Sequence, residues 1–227
     1  MNGLLDTLLL TLRLAGVTTL ILLVLATPLA WWLARGRSIW TEIVGAVVAL
    51  PIVLPPTVLG FYLLILLGPN SPLMAPFQAV GIRTLAFTFT GLVIGSVLYS
   101  LPFAVQPLRN AFRAVGEDHL DAAATLGASA VQTFVRVALP LSLPGYVVAA
   151  ILSFAHTIGE FGVVLMIGGA IPGVTNVVSI EIFKSVEALE WSRAHALAGL
   201  LTAFGFLVVL TLLRLERRLA PAAHNER

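Results

Sequence analysis

The stretch LAGVTTLILLVLATPLAWWL, residues 14–33, contains no charged side chain. A bilayer core about 30 Å thick is crossed by about 20 apolar helical residues, so this stretch predicts one membrane span. Four further stretches are also free of Asp, Glu, Lys and Arg: residues 43–67, 85–108, 137–158 and 194–213. The sequence therefore predicts an all-α, polytopic membrane protein with five transmembrane helices. Because Asp6 lies where a signal peptide would carry basic residues, we expect the first span to remain in the mature protein.

Composition supports a membrane environment and excludes several other classes of protein. Of the 227 residues, 59% are hydrophobic and 11% are charged, whereas about 25% charge is usual in a soluble domain. The formal net charge is +2, too little to build a basic surface of the kind that binds nucleic acid. The absence of Cys excludes disulfides, a thiolate nucleophile and Cys-ligated metals. We therefore expect the lipid bilayer, and no nucleic acid, as its surroundings.

Basic residues are distributed unevenly between the predicted loops. With five spans, three basic residues lie on one side of the membrane and nine on the other. The three are Arg83, Lys184 and Arg193, and the nine are Arg35, Arg37, Arg109, Arg113, Arg136, Arg214, Arg217, Arg218 and Arg227. Since cytoplasmic loops are enriched in Lys and Arg, this bias predicts an outer N-terminus and a cytoplasmic C-terminus.

A sixth span over residues 163–180 is the main alternative topology. This segment contains Pro172, Asn176 and four Gly, and a sixth crossing would move Arg214 and the basic residues after it to the outside. We therefore interpret residues 163–180 as a half-inserted segment or one that lies on the outer surface.

The longest polar stretch on the predicted cytoplasmic side, residues 109–138, contains two short helix patterns. Asp118 is a candidate N-cap for the first helix, with Asp121 in the capping-box position. Gly127 can adopt the left-handed conformation that ends a helix, and Ser129 can cap the second helix. The first helix has a small apolar face, which consists of Leu120, Ala123, Ala124 and Gly127. Because so short a helix is not stable alone, we expect this face to occupy a groove of its own bundle or of a partner.

The same loop carries a motif with fixed spacing, formed by Asp121-Ala122-Ala123, Gly127 and Val137-Ala138-Leu139-Pro140. It resembles the EAA signature of bacterial ABC-importer permeases, with Asp121 in place of Glu and Val137 in place of Ile. In that family the loop forms the coupling helix, which docks on a separate cytoplasmic ATPase. The resemblance implies that ATPase coupling involves Asp118, Leu120, Asp121, Ala122, Ala123, Gly127, Leu139 and Pro140.

Two further segments resemble the oxyanion permeases of this class, most closely the molybdate/tungstate permeases and next the sulfate/thiosulfate permeases. They are LPIVLPPTVLG at residues 50–60 and GEFG at residues 159–162. The resemblance covers nearly the whole chain, so we predict one permease domain over residues 1–227. It implies a protein of the bacterial cytoplasmic membrane that pairs with a second copy of itself, two ATPase subunits and a periplasmic oxyanion-binding protein.

The chain offers no site of its own for ATP hydrolysis. A Walker A loop needs Gly-Lys followed by Ser or Thr, and the only Lys, Lys184, follows Phe183. The Ser residues lack a nucleophile elbow, and the His residues at positions 119, 156, 195 and 224 lack the spacing of zinc ligands. We therefore expect a transport subunit without catalytic residues, metal or cofactor, with ATP and Mg²⁺ bound by the partner ATPase.

Broken helices at membrane depth must be surrounded by protein or water, because lipid cannot satisfy their backbone polar groups. On this ground the translocation path is predicted to be bordered by Pro55, Pro56, Thr57, Gly159, Glu160, Phe161 and Gly162. The spans contain almost no cationic side chain, so we expect a weakly binding path lined by Thr, Ser, Gly and backbone dipoles, with affinity residing in the binding protein.

A proton-coupled secondary transporter is the alternative from another class of protein. His156 and Glu160 lie one helical turn apart in the predicted fourth span and could form a proton relay.

Overall fold

The computed structural model describes residues 2–219, with side chains for residues 3–215. Arg217, Arg218, His224 and Arg227, which enter the predictions above, lie outside the described side chains. The described chain consists of helices α1 (Asn2–Arg35), α2 (Ile39–Val53), α3 (Pro56–Leu67), α4 (Ala75–Gln78), α5 (Phe89–Ala114), α6 (Glu117–Thr125), α7 (Ala130–Thr133), α8 (Leu139–Leu141), α9 (Leu143–Gly159), α10 (Gly162–Gly168), α11 (Val178–Glu187) and α12 (Trp191–Leu219). A 3₁₀ turn at Pro72–Met74 precedes α4, and a π-helical turn at Phe134–Ala138 joins α7 to α8.

Three of these helices, α1, α5 and α12, are individually long and apolar enough to cross a membrane. The pair α2 and α3 and the pair formed by residues 130–141 and α9 each reach the required length only together, so that the described chain has up to five spans. The all-α architecture agrees with the sequence prediction, and the five predicted spans equal the upper count, in which each bent pair is one span. The orientation of the termini stays a prediction.

The second span is sharply broken where the sequence has two consecutive prolines. Leu54 and Pro55 are extended, with ψ of 137° and 133°, because the residue before a proline is disfavoured in helical conformation. Helices α2 and α3 consequently meet at an angle of 111°. The fourth span is bent as well, by 67°, at the break between α8 and α9.

Helix α5 lies at the centre of the bundle, where it packs against α1, α2, α9 and α10. Gly145 of α9 lies directly on α5, because a Cβ at this position would overlap the side chain of Ala111. Gly95 of α5 similarly allows the close approach of Ile167 in α10, as small residues at four-residue spacing do, whereas a Cβ at Gly91 would overlap the carbonyl oxygen of Leu85. Gly199 of α12 has a matching small-residue spacing, but a Cβ at this position would meet no described atom within 4 Å, so no described neighbour uses it.

Residues 163–180, the alternative sixth span, form α10, a loop and the start of α11. Helix α10 has seven residues, about 10 Å of helix, so it cannot cross a bilayer. Its Val163, Val164 and Ile167 are fully buried against α3 and α5. Helix α10 is therefore an internal part of the bundle, residues 171–174 after it are exposed, and the segment forms no sixth span.

An ionic cluster links α11 to the start of α12. Glu181 accepts hydrogen bonds from Asn176 Nδ2 at 2.6 Å and Lys184 Nζ at 3.3 Å, and it forms an ion pair with Arg193 at 2.5 Å. Burial alone would raise the pKa of the Glu181 carboxyl, but the Asn176 hydrogen bond and the charges of Lys184 and Arg193 outweigh burial and hold that pKa below its ordinary value. This cluster orients the otherwise lightly packed helix α12.

Candidate translocation path and coupling surface

A cavity of about 430 Å³ lies where the broken second span meets the junction of α9 and α10. Six of the seven predicted path residues line it, and the seventh, Pro55, precedes the first turn of α3. The lining consists of Pro56, Thr57, Tyr99, Ala155, His156, Gly159, Glu160, Phe161 and Gly162. We call this space the outer cavity. The structure thus brings together two sequence segments about 100 residues apart, while their part in transport stays a prediction.

The outer cavity depends on a close contact between the first turns of α3 and α10. A Cβ at Gly162 would lie 2.9 Å from the Cβ of Pro56, so only glycine permits this approach without a shift. Helix α3 begins at Pro56 and carries the partial positive charge of a helix N-terminus. Pro55 and Pro56 have no N–H, and Val58 N–H donates to Pro55 O at 2.9 Å, so Thr57 has the one N–H of this turn without a described acceptor. The described lining therefore combines one helix N-terminus with the Glu160 carboxyl, and it contains no Lys or Arg.

His156 and Glu160 are not paired with each other. His156 Nδ1 lies 2.9 Å from Ser100 Oγ, and its ring stacks on Phe103 with a centroid distance of 3.9 Å. Glu160 is 3% exposed, and neither of its carboxylate oxygens has a hydrogen-bond partner in the described part of the chain. Its backbone carbonyl accepts a hydrogen bond from Ser179 Oγ at 2.5 Å. The direct relay considered from the sequence is therefore not formed in this structure.

Tyr99 and Ala155 line the outer cavity but were missed by the sequence analysis. Tyr99 lies on α5, and no local motif distinguishes it from the other aromatic residues of that span. Only the packing of α5 against α9 brings it to the cavity.

Helix α6 forms the centre of the predicted coupling loop. The prediction that Asp118 caps it is wrong, because the helix begins at Glu117 after Gly116, whose φ is +76°. No side chain caps this end, and Asp118 lies in the first turn, where its negative charge favours the helix dipole.

The end of α6 follows the prediction closely. Gly127 has a φ of +80°, and its N–H donates to Ala124 O at 2.9 Å while Ala128 N–H donates to Ala123 O at 3.0 Å. These two bonds constitute a Schellman motif. Ser129 and Gln132 then form a complete capping box at the start of α7.

The apolar face predicted for α6 is divided between the bundle and the surface. Leu120 is buried in a cluster with Val115, Ala138 and Phe134, so its groove is supplied by the chain itself. Leu139 is half-buried just beyond this cluster, and Pro140 is exposed. An external partner can therefore reach the other side of α6, where the exposed predicted residues are Asp118, Asp121, Ala122 and Gly127, while Ala123 is half-buried.

Two apolar residues beside this surface were missed by the sequence analysis. Leu126 is 87% exposed and Val131 is 72% exposed. Leu126 directly precedes the left-handed Gly127, at a position that projects from the helix end. This position in the sequence could have predicted that Leu126 is exposed. We define Asp121, Ala122, Leu126, Gly127 and Val131 as the coupling surface.

The family model described as "Binding-protein-dependent transport system inner membrane component" matches residues 26–221. The chain belongs to this family. It is accordingly a multi-pass membrane protein of a transport system, as predicted.

Among individual relatives, the chain is 59% identical over 203 residues to the molybdenum transport system permease protein ModB of Azotobacter vinelandii, covering 89% of this chain and 90% of that protein. It is 31% identical over 190 residues to the sulfate transport system permease protein CysT of Salmonella typhimurium, covering 84% of this chain and 68% of that protein. Sequence similarity therefore favours the molybdenum branch.

Among solved structures, a bacterial alginate ABC transporter in complex with an alginate pentasaccharide-bound periplasmic protein aligns with a TM-score of 0.77. The alignment covers 98% of this chain and 81% of the other, at 16% identity. This likeness shows that the helical fold is that of an ABC transporter chain.

Proposed function

We propose that this chain is the permease subunit of an ATP-binding-cassette importer that carries molybdate, or the similar tungstate, across the cytoplasmic membrane. The observation that carries the proposal is the 59% identity to a molybdenum permease over nearly the full length of both chains. The outer cavity and the coupling surface supply the two features that such a subunit needs.

The outer cavity is the proposed entry to the translocation path. Thr57 is exposed there and offers a hydroxyl donor, and the first turn of α3 offers its partial positive charge. Because the Glu160 carboxyl also lines this cavity, the arrangement holds a dianion only weakly, and conduction requires binding that is weak enough to release the ion. A second copy of the chain would complete the path by covering the exposed side of the α2–α3 break.

The coupling surface is the proposed contact with a separate ATPase, which binds ATP and Mg²⁺ and performs the hydrolysis. Leu126 and Val131 are apolar, exposed and close to the rigid end of α6, as an anchor in a groove of a partner should be. Because α6 is also anchored on the bundle through Leu120, a displacement of the ATPase would be transmitted to the spans.

Sulfate is the second candidate substrate, since the chain also resembles a sulfate permease at lower identity. The test is uptake of labelled molybdate by vesicles that contain this chain, its ATPase and its binding protein. We expect ATP-dependent uptake that excess sulfate inhibits only weakly.

Strong competition by sulfate would reassign the substrate within the same class. Uptake driven by a proton gradient in vesicles without the ATPase would refute the proposal and favour a secondary transporter.

A further inference from the structure

A second cavity, of about 210 Å³, lies between α1, α2 and α5. Its walls include the apolar Leu33, Val48 and Val105, but three polar side chains of α5 also line it. These are Gln106, Arg109 and Asn110. We call this space the inner cavity, since on the predicted topology it lies on the cytoplasmic side of the outer cavity.

Arg109 is the one charged residue that lines the inner cavity within the described chain. Its Nε is buried without a hydrogen-bond partner among the described residues, and no ion pair to a described carboxylate involves it. Arg109 is the first residue after the predicted third span, and its side chain is half-buried. Its guanidinium therefore lines the cavity without a described carboxylate partner, and the N–H groups other than the buried Nε are free to donate to an acceptor in the cavity.

The inner and outer cavities lie on the same face of α5. Tyr99 lines the outer cavity, and Gln106 and Asn110 line the inner cavity. At 100° per residue, positions seven and eleven residues after Tyr99 fall within about 20° of it around the helix axis. At 1.5 Å per residue they lie about 10 to 16 Å further along the helix. The broken second span flanks both cavities, with Thr57 of α3 at one and Ala49 of α2 at the other.

We propose that the inner cavity is a transient binding site for a tetrahedral oxyanion, held by the Arg109 guanidinium and the side-chain amides of Gln106 and Asn110. The site deepens the proposed function, on which its place in the transport cycle rests. A guanidinium presents several N–H donors in a planar fork that matches an oxyanion, and each amide adds an N–H donor. No carboxylate among the described residues lines the cavity to repel the anion. This site would differ from the path lined by Thr, Ser, Gly and backbone dipoles that the sequence predicts.

The absence of Cys allows a direct test of occupancy with one introduced thiol. A Cβ at Gly45 would lie 3.8 Å from Arg109 Nη1 and 4.0 Å from Leu33 Cδ2, so Gly45→Cys fits without displacing its neighbours. The adjacent guanidinium favours the thiolate, which reacts with N-ethylmaleimide. In the assembled permease–ATPase complex, molybdate should slow this alkylation in a concentration-dependent way.

In the Gly45→Cys background, Arg109→Gln should raise the molybdate concentration that halves the alkylation rate by about tenfold or more. This factor corresponds to the loss of one hydrogen bond from a charged donor. Arg113→Gln is the matched control, because it removes the same charge one turn later on the same helix and should leave protection unchanged. Ala46→Cys, on the exposed side of α2, should show no protection at all.

The site is refuted if molybdate leaves Gly45→Cys alkylation unchanged, or if Arg109→Gln and Arg113→Gln weaken protection equally. Uptake by the same complex, measured in vesicles with the binding protein, separates this outcome from failure of the proposed function. Normal uptake without protection overturns the inner site alone. Protection without molybdate uptake overturns the proposed function and supports the site as an anion-binding cavity.

Discussion

Replacement of Gly127 by valine tests whether the end of α6 couples this chain to an ATPase. Gly127 has a φ of +80°, and no described atom lies within 4 Å of a Cβ built there. Gly127→Val therefore meets no steric clash within the described chain, and its cost is the left-handed backbone, about 1–2 kcal/mol. A penalty of this size lowers the equilibrium constant between the ordered and the frayed helix end by about 5- to 30-fold. If the ATPase binds only the ordered end, its affinity should fall by up to this factor.

Gly173→Val is a matched control for this experiment. Gly173 is exposed in the loop before α11, its φ is +72°, and a Cβ there also meets nothing within 4 Å. Both variants should thus lose the same stability and reach the same membrane abundance. Only Gly127→Val should weaken ATPase co-purification and reduce uptake. Equal ATPase binding by the two variants, or misfolding of Gly127→Val alone, would show that this glycine serves folding and that coupling occurs elsewhere.

Three further predictions concern packing, ionisation and access. Gly145→Ala should lower the melting temperature of the purified protein, because the added Cβ overlaps α5 and overpacking costs about 1–3 kcal/mol. The control Gly199→Ala should leave the melting temperature unchanged, because no described neighbour lies within 4 Å of its Cβ. Because the folded state lowers the pKa of Glu181 below its ordinary value of 4.5, ionised Glu181 stabilises the fold at pH values above 4.5. This stabilisation is lost as the pH falls through the folded-state pKa. Denaturation at neutral and acidic pH should therefore show a smaller pH effect for Glu181→Gln than for the unmodified chain. Thr57→Cys should react with a polar thiol reagent at a rate that changes with the nucleotide bound to the ATPase. Leu20→Cys, on the lipid-facing side of α1, should stay unreactive throughout, and an unreactive Thr57→Cys in every nucleotide state would remove Thr57 from the path.

The sequence by itself determined the features of this protein that depend on near neighbours along the chain. Charge-free runs predicted the helical spans, because crossing a bilayer depends on about 20 consecutive residues. The prolines before α3 predicted a broken span, and Gly127 and Ser129 predicted a helix end and a helix start. Capping is a matter of hydrogen bonds within four residues, so these features could be read locally.

The features that only the tertiary structure decided all involve contacts between distant segments. Leu120 belongs to the same predicted apolar face of α6 as Ala123 and Gly127, but Leu120 alone of the three is buried, because it packs in the cluster with Ala138. Ser100 bonds His156 across 56 residues, which leaves Glu160 without the partner that their spacing indicated. Arg109 is the first residue of the predicted cytoplasmic loop, yet the packing of α2 on α5 places it against a cavity. Periodicity states which residues share a helix face, whereas burial and pairing depend on what another helix presents to that face, and no local pattern carries that information.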